Sequence, residues 1–343
     1  MEAQAPSPSP PATDTAPVVV SGIQPSGRLH LGNYFGALRQ HLNLHTEHEA
    51  YYFIVNYHAM TTVQHAEQLR QHTFDVALDY LALGFDPGEA ALFVQSDVPE
   101  VTELTWIFFN LLPSSRLEKG VAYKEKVNAG LTPNAGLFNY PVLQAADILA
   151  YGGTQVPVGA DQKQNLEIAR DLARAFNHTY CPEDEPLFPV PEPHILDDVA
   201  VVPGIDGQKM SKSYGNTIGI FDEGDALKEK VMSIVTDSKP LDAPKDPESC
   251  NVFALIKLFA DEETTKRIAQ QYRDGSYGYG HAKQELLGLI EDHFARARQR
   301  RTELEQRPDY VRDVLREGAQ KAQKKVRPIM ERVRELTGLV RTR

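Results

Sequence analysis

Cysteine is nearly absent from this chain: Cys181 and Cys250 are the two in 343 residues, and neither sits in a C-x-x-C pair. A disulfide scaffold and a structural zinc site are therefore not expected, and a reducing cytoplasm is the expected setting. No apolar run approaches 18 residues, so no membrane span is expected. The N-terminus lacks the basic-then-apolar pattern of a secretory signal. No G-x-G-x-x-G follows the first strand-like segment, which removes the dinucleotide-dependent dehydrogenases. Tryptophan occurs once, as Trp106, and is expected in the core.

What is present suits a soluble globular chain larger than one ordinary domain, with 41% hydrophobic and 24% charged residues. The net charge of −11 argues at first against a nucleic-acid partner. The average hides an asymmetry. Phe294–Arg343 holds 15 Lys and Arg against 7 Asp and Glu, a balance of +8 that leaves the first 293 residues at −19. A basic end on an acidic body can hold a polyanion, with Arg298, Arg300 and Arg301 as the contacts expected; a solvated helix rich in Arg and Glu is the plain alternative.

Residues 1–17 are rich in Pro, Ala, Ser and Thr and are expected to form a disordered tail. Short β-branched or aromatic runs at Pro17–Val20, Tyr51–Val55, Ala91–Val94, Gln155–Val158 and Val199–Val202 read as strands. Helical spacing covers Leu31–Leu44, Ala66–Leu83, Pro99–Leu112, Tyr140–Tyr151 and Asp161–Phe176, with a polar, turn-prone pause at Pro113–Gly136. Strands alternating with helices predict a doubly wound parallel sheet with right-handed crossovers. After about Asp222 only helices are read: Lys228–Val235, Val252–Ala260, Glu262–Tyr272, Ala282–Arg301 and Tyr310–Leu336. The expected organisation is thus an α/β domain over 18–221 and an all-helical one over 222–343.

The strongest local signal is Lys209-Met210-Ser211-Lys212-Ser213, with Gly204, Gly207 and Gly215 close by. Two lysines three apart on a glycine-flanked loop suit a mobile clamp on a polyphosphate leaving group. The plain alternative is a solvated Lys/Ser loop. At average composition this string arises in on the order of 1 in 10⁴ chains of this length, which favours the clamp. Its partner is Gly22-Ile-Gln-Pro-Ser-Gly27 followed by His30-Leu-Gly-Asn33, straight after the first strand. That loop falls at the carboxyl edge of the sheet, where nucleotides bind and a helix N-terminus favours phosphate. Gly32 lets a base approach the backbone, and His30 and Asn33 offer donors to phosphates.

Together the two strings resemble the paired signatures of the class I aminoacyl-tRNA synthetases. Ser21-Gly-Ile-Gln-Pro-Ser-Gly27, Asn33-Tyr-Phe-Gly-Ala37, Tyr123-Lys-Glu-Lys126, Ala145-Ala-Asp-Ile-Leu149, Val156-Pro-Val-Gly-Ala-Asp-Gln162 and Pro203-Gly-Ile-Asp-Gly207 are similar to the tryptophanyl members. The likeness runs from Val18 to the C-terminus. It implies a Rossmann-like fold with an inserted connective segment at about 95–135 that pairs two subunits as a homodimer, and a helical anticodon-binding domain.

The resemblance also implies the chemistry. Tryptophan's carboxylate attacks the α-phosphate of Mg-ATP, and the tryptophanyl group then passes to tRNA(Trp), without an organic prosthetic group or a protein-held metal. Catalysis is then in-line positioning and charge stabilisation. By position Gln24, Pro25, Ser26, His30, Gly32, Asn33, Gly159, Ala160, Asp161, Val201, Met210, Ser211 and Ser213 would hold ATP. Lys126, Lys209 and Lys212 would bind its phosphates. Asp147, Tyr140, Gln144, His58 and Gln162 would hold tryptophan. Asp147 would accept the indole N–H, a sound role because indole is donor only. Tyr140, Gln144, Asp147 and Ile148 fall on one helical face.

The chain departs from the family where Gln144 replaces the usual Met, where Val20 replaces an aromatic, and where Ala160 replaces an acid. A polar side chain and a smaller one in a flat apolar slot bear on indole affinity. A tyrosyl-tRNA synthetase, a small-metabolite nucleotidylyltransferase and a synthetase-like paralogue with a binding role are the competing readings. Amino-acid-dependent pyrophosphate exchange separates them.

Overall fold

The computed structural model describes residues 17–44, 48–128, 130, 132–158, 163–195 and 202–339. The Pro-rich tail before residue 17 and residues 199–201 of the expected last strand lie outside this set.

Five parallel strands form one sheet in the order β3-β2-β1-β4-β5: β1 Val18–Ile23, β2 Glu49–Ile54, β3 Ala91–Val94, β4 Gln155–Val158 and β5 Glu192–Ile195. β1 and β2 run in register from Val18 opposite Glu49 to Ile23 opposite Ile54. Side chains alternate across the sheet. Val19, Tyr52 and Ile54 face one layer, with Leu31, Leu38 and Tyr80. Val18, Val20 and Phe53 face the other, with Val142, Ile148 and Leu172.

The strand β5 is absent from the sequence reading. Pro191 and Pro193 break its apolar run, and a proline is tolerated there because β5 is an edge strand. The Pro113–Gly136 pause holds two short helices, Ser114–Leu117 and Val121–Asn128. The next helix starts at Ala135, not Tyr140, because Asn134 caps it by accepting the Leu137 N–H at 2.8 Å. It then runs through Pro141. Trp106 is not a core residue: it is 70% exposed beside Phe109.

From Gly224 on the described chain is helical, and its last helix, Pro308–Thr337, returns to the sheet. Gly318 sits so close to β3 that a Cβ there would fall 2.0 Å from the Leu92 carbonyl oxygen, which requires glycine. Arg334 grips Glu103 with two hydrogen bonds of 2.7 and 2.6 Å, and Lys325 reaches Glu49 at 2.9 Å. In the preceding helix, Tyr279–Glu305, Arg301 is 7% exposed and donates to the buried Asp79 at 2.8 Å. Arg298 is also 7% exposed. This corrects the expectation for these arginines: Arg298 and Arg301 are interior, and Arg301, Lys325 and Arg334 pair with acids of the preceding domain. Like-sign surface counting missed it because the partners of Arg301, Lys325 and Arg334 lie over 200 residues away.

Candidate active site

The crevice outside the carboxyl ends of β1 and β4 is the switch point of the sheet, where successive crossovers leave in opposite directions. Two loops and one cavity meet there. β1 ends at Ile23 and the chain turns through Gly27, whose φ of +100° favours glycine. His30 then sits in extended backbone at the start of the first helix, and Asn33 Oδ1 accepts the His30 N–H at 3.1 Å. The amide NH₂ of Asn33 makes no hydrogen bond among the described residues. His30 is 7% exposed, and its Nδ1 has no partner among the described residues. Burial, helped by the charge of Lys212, lowers its pKa to about 4, so the imidazole is neutral at pH 7. That first helix passes through a π-helical turn at Tyr34–Leu38, a departure found often at functional sites.

The lysine loop is a hairpin closed against the first loop. Met210 N–H donates to the Val202 carbonyl at 2.9 Å, Leu31 N–H to Ile218 at 3.0 Å, and Ile220 N–H to Leu29 at 3.1 Å. Met210 is buried and its sulfur takes the Gly32 N–H at 3.4 Å. A Cβ on Gly32 would meet the His30 ring at 3.0 Å and Met210 at 3.3 Å, so glycine lets the two loops close. Lys212 spans them: Nζ donates to Ser26 Oγ at 3.2 Å and to the Gly27 carbonyl at 2.9 Å. Burial lowers the pKa of Lys212, against the charge of Asp79. Lys209 and Ser213 are exposed, and Ser211 and Ser213 share a 2.8 Å hydroxyl contact.

Sequence reasoning missed the residue that holds this hairpin. Asn216, 2% exposed, accepts the Ser211 N–H at 2.8 Å and donates to Asp206 at 2.7 Å and to the Lys209 carbonyl at 3.1 Å. Its side chain packs where a Cβ on Gly204 would fall 2.4 Å away. Nothing in the string marks Asn216 beyond its place after Gly215.

Beside the loops lies a cavity of about 490 Å³. Gln24 lines it from the first loop; Tyr140, Gln144, Asp147 and Ile148 line it from the Ala135–Leu149 helix, and His58 lines it beside Asp147. Asp147 is 2% exposed. Its Oδ2 accepts from His58 Nε2 at 3.0 Å and from Gln95 Nε2 at 2.7 Å. Oδ1 is buried with no partner among the described residues. Burial raises the carboxyl pKa, while His58 and Gln95 pull it the other way. Gln95, fully buried at the end of β3, was also missed. Its Oε1 takes the Tyr57 N–H at 3.0 Å, which fixes its NH₂ toward Asp147. The one signal for it was position, at the carboxyl end of a parallel strand. The Tyr140 ring stands edge-on to His58 at 6.2 Å, and its hydroxyl accepts from Asn165 at 3.2 Å.

The structure thus brings Gln24, Ser26, His30, Gly32, Asn33 and the 210–213 segment to one side and His58, Tyr140, Gln144 and Asp147 to the other. Pro25, within the first loop, is buried. Gly159, Ala160, Asp161, Gln162 and Val201 lie outside the described residues, as does the side chain of Lys126.

Residues 13–295 match the model of the family described as tRNA synthetases class I (W and Y). A tryptophan–tRNA ligase of Fusobacterium nucleatum is 50% identical over 321 residues, 94% of this chain and 98% of that protein. The chain belongs to the class I tryptophanyl-tRNA synthetase family. Another member, the tryptophan–tRNA ligase of Rhodopirellula baltica, is 50% identical over 94% of this chain and 99% of its own length. The tryptophanyl-tRNA synthetase of Campylobacter jejuni, solved with ADP and tryptophan, superposes with a TM-score of 0.86. It is 45% identical and covers 94% of this chain and 99% of its own.

Proposed function

We propose that the chain is a tryptophan–tRNA ligase. It activates L-tryptophan with Mg-ATP to tryptophanyl-adenylate and pyrophosphate, then transfers the tryptophanyl group to tRNA(Trp). The observation that carries the choice of amino acid is Asp147 Oδ1, a buried acceptor without a partner among the described residues, on a carboxylate that lines the cavity. An indole N–H satisfies it, whereas a phenyl ring leaves it unpaired at a cost of about 1–3 kcal/mol.

In this reading Gln24, Pro25, Ser26, His30, Gly32, Asn33, Met210, Ser211 and Ser213 hold ATP, with Gly159, Ala160, Asp161 and Val201 on its nucleoside. Lys209, Lys212 and Lys126 take the phosphates, and Mg²⁺ enters with ATP as part of the substrate. Lys212, already seated on the glycine turn of the first loop, neutralises charge as pyrophosphate leaves. Neutral His30 donates a hydrogen bond without adding charge. The family resemblance assigns Gln162 to the amino group of tryptophan, while Tyr140, Gln144 and His58 surround its ring.

The 95–135 segment pairs two subunits as a homodimer, a reading supported by Trp106 exposed beside Phe109. Helices of the 222–343 region receive the anticodon end of the tRNA, and the setting is the cytoplasm. Among the described residues no helix is long and apolar enough to cross a membrane. The test is charging: tRNA(Trp) should accept labelled tryptophan with ATP, and tRNA for tyrosine should not. Charging of the tyrosine tRNA with tyrosine instead would replace this reading by the tyrosyl one.

A further inference from the structure

Beneath the cavity lies a histidine that the reaction above does not use. His41 is 1% exposed. Its Nε2 lies 2.9 Å from Ser21 Oγ, near the end of β1, and its Nδ1 lies 2.8 Å from the hydroxyl of Tyr80 in the Ala66–Ala82 helix. Both Ser21 and His41 line the cavity, whereas Tyr80 is fully buried behind them.

Hydrogen-bond accounting assigns the direction of this chain of groups. Burial lowers the His41 pKa to about 4, so the ring is neutral and has one N–H and one lone-pair nitrogen. Were the hydrogen on Nδ1, the Tyr80 hydroxyl hydrogen would be buried without an acceptor, at the full desolvation cost of a donor. The neighbouring phenol is no alternative, since Tyr52 Oη has no hydrogen-bond partner among the described residues. Tyr80 therefore donates to Nδ1, and Nε2–H donates to Ser21 Oγ. The serine oxygen is the acceptor, and its own hydrogen is left to donate. Among the described residues Ser21 Oγ has no second partner, and its residue borders the cavity.

The chemistry of the substrate then identifies what receives that hydrogen. In tryptophan the ammonium and the indole N–H are donors, and the carboxylate is the one acceptor. We propose that Ser21 binds the carboxylate of the amino acid, and that His41 and Tyr80 are positioning residues that keep its O–H turned outward. The proposal rests on the tryptophan-activating reading above. It gives the cavity two opposed anchors, an acceptor at Asp147 for the ring and a donor at Ser21 for the carboxylate.

Calorimetric titrations of the full chain with L-tryptophan and with tryptamine, which keeps the ring and amine but lacks the carboxylate, test it. Ser21→Ala should raise the Kd for tryptophan roughly five- to tenfold and leave that for tryptamine unchanged. Ser21→Thr keeps a hydroxyl and should restore most of the loss. Tyr80→Phe frees the tautomer, so that His41 Nε2 can accept the serine hydrogen; tryptophan should weaken roughly two- to threefold and tryptamine not at all. If that variant does not fold, the ¹⁵N spectrum of the wild type decides the relay, with hydrogen on Nε2 of His41 and none on Nδ1. Equal losses for both ligands in Ser21→Ala, or a hydrogen on Nδ1, overturn the proposal alone. A wild-type chain that binds neither ligand overturns the tryptophan reading and the proposal together.

Discussion

Replacing Asp147 by Asn changes one atom and should disable the cavity's choice of ring. The carboxylate uses its oxygens differently: Oδ2 accepts from His58 and Gln95, and Oδ1 has no partner among the described residues. An asparagine has one oxygen and one NH₂ to place in the same two positions. With its oxygen toward Gln95, its NH₂ opposes the indole N–H. With its oxygen toward the ring, its NH₂ opposes that of Gln95, which cannot turn because its Oε1 holds the Tyr57 N–H at 3.0 Å. Either way one buried donor goes unpaired, at about 1–3 kcal/mol. Tryptophan affinity should fall by roughly 5- to 150-fold. ATP binding alone should not change, and preference for tryptophan over phenylalanine should shrink by a similar factor. Titration with both amino acids, with and without an ATP analogue, measures this. Unchanged tryptophan affinity in the variant would falsify the assignment of Oδ1 to the indole.

Other perturbations separate the remaining parts. Lys212→Ala should slow adenylate formation by roughly 10²-fold with little change in tryptophan affinity, because its charge acts as pyrophosphate leaves; pre-steady-state pyrophosphate release reads it, and equal loss in ground-state ATP binding contradicts it. Gln144→Met should tighten tryptophan by about 1 kcal/mol, roughly fivefold, and reduce tolerance for polar ring substituents; calorimetry checks both. Arg301→Ala leaves Asp79 buried without its partner, so denaturant unfolding should show a loss of about 3–5 kcal/mol. Its KM for tRNA should stay constant, as befits an interior residue. Stability should also fall on acidification. The unfolded chain protonates His30 and His41 near the ordinary 6.5, and the folded chain does so only near about 4. The stabilisation is therefore complete above 6.5 and lost as pH falls toward 4. For fully buried His41 this is up to about 3 kcal/mol, absent from a His41→Phe variant.

The two loops that face each other across the crevice were legible because their information is local. Glycines mark the turns, and strand-to-helix alternation places Gly22–Asn33 at the carboxyl edge of the sheet. Asp147 and Gln144 share a cavity wall because helical period alone puts them on one face. What stayed hidden depends on pairing at long range. Nothing near Arg301 announces Asp79, 222 residues earlier, so a charge that holds the interior read as a surface one. Gln95 and His41 carry no motif, Ser21 merely opens the first string, and their polar atoms acquire meaning only when β1, β3 and two helices converge. β5 was obscured by its own prolines, and Trp106 by the general rule that a lone tryptophan is core.

Exchange of labelled pyrophosphate into ATP, run on the purified chain with each of the twenty amino acids in turn, is the most direct measurement. Exchange should depend on L-tryptophan, and phenylalanine, which has no ring donor for the Asp147 acceptor, should support it roughly 5- to 150-fold less. Exchange supported equally well by phenylalanine would contradict the role given to Asp147, and exchange driven by tyrosine, or by no amino acid at all, would contradict the tryptophan-activating reaction.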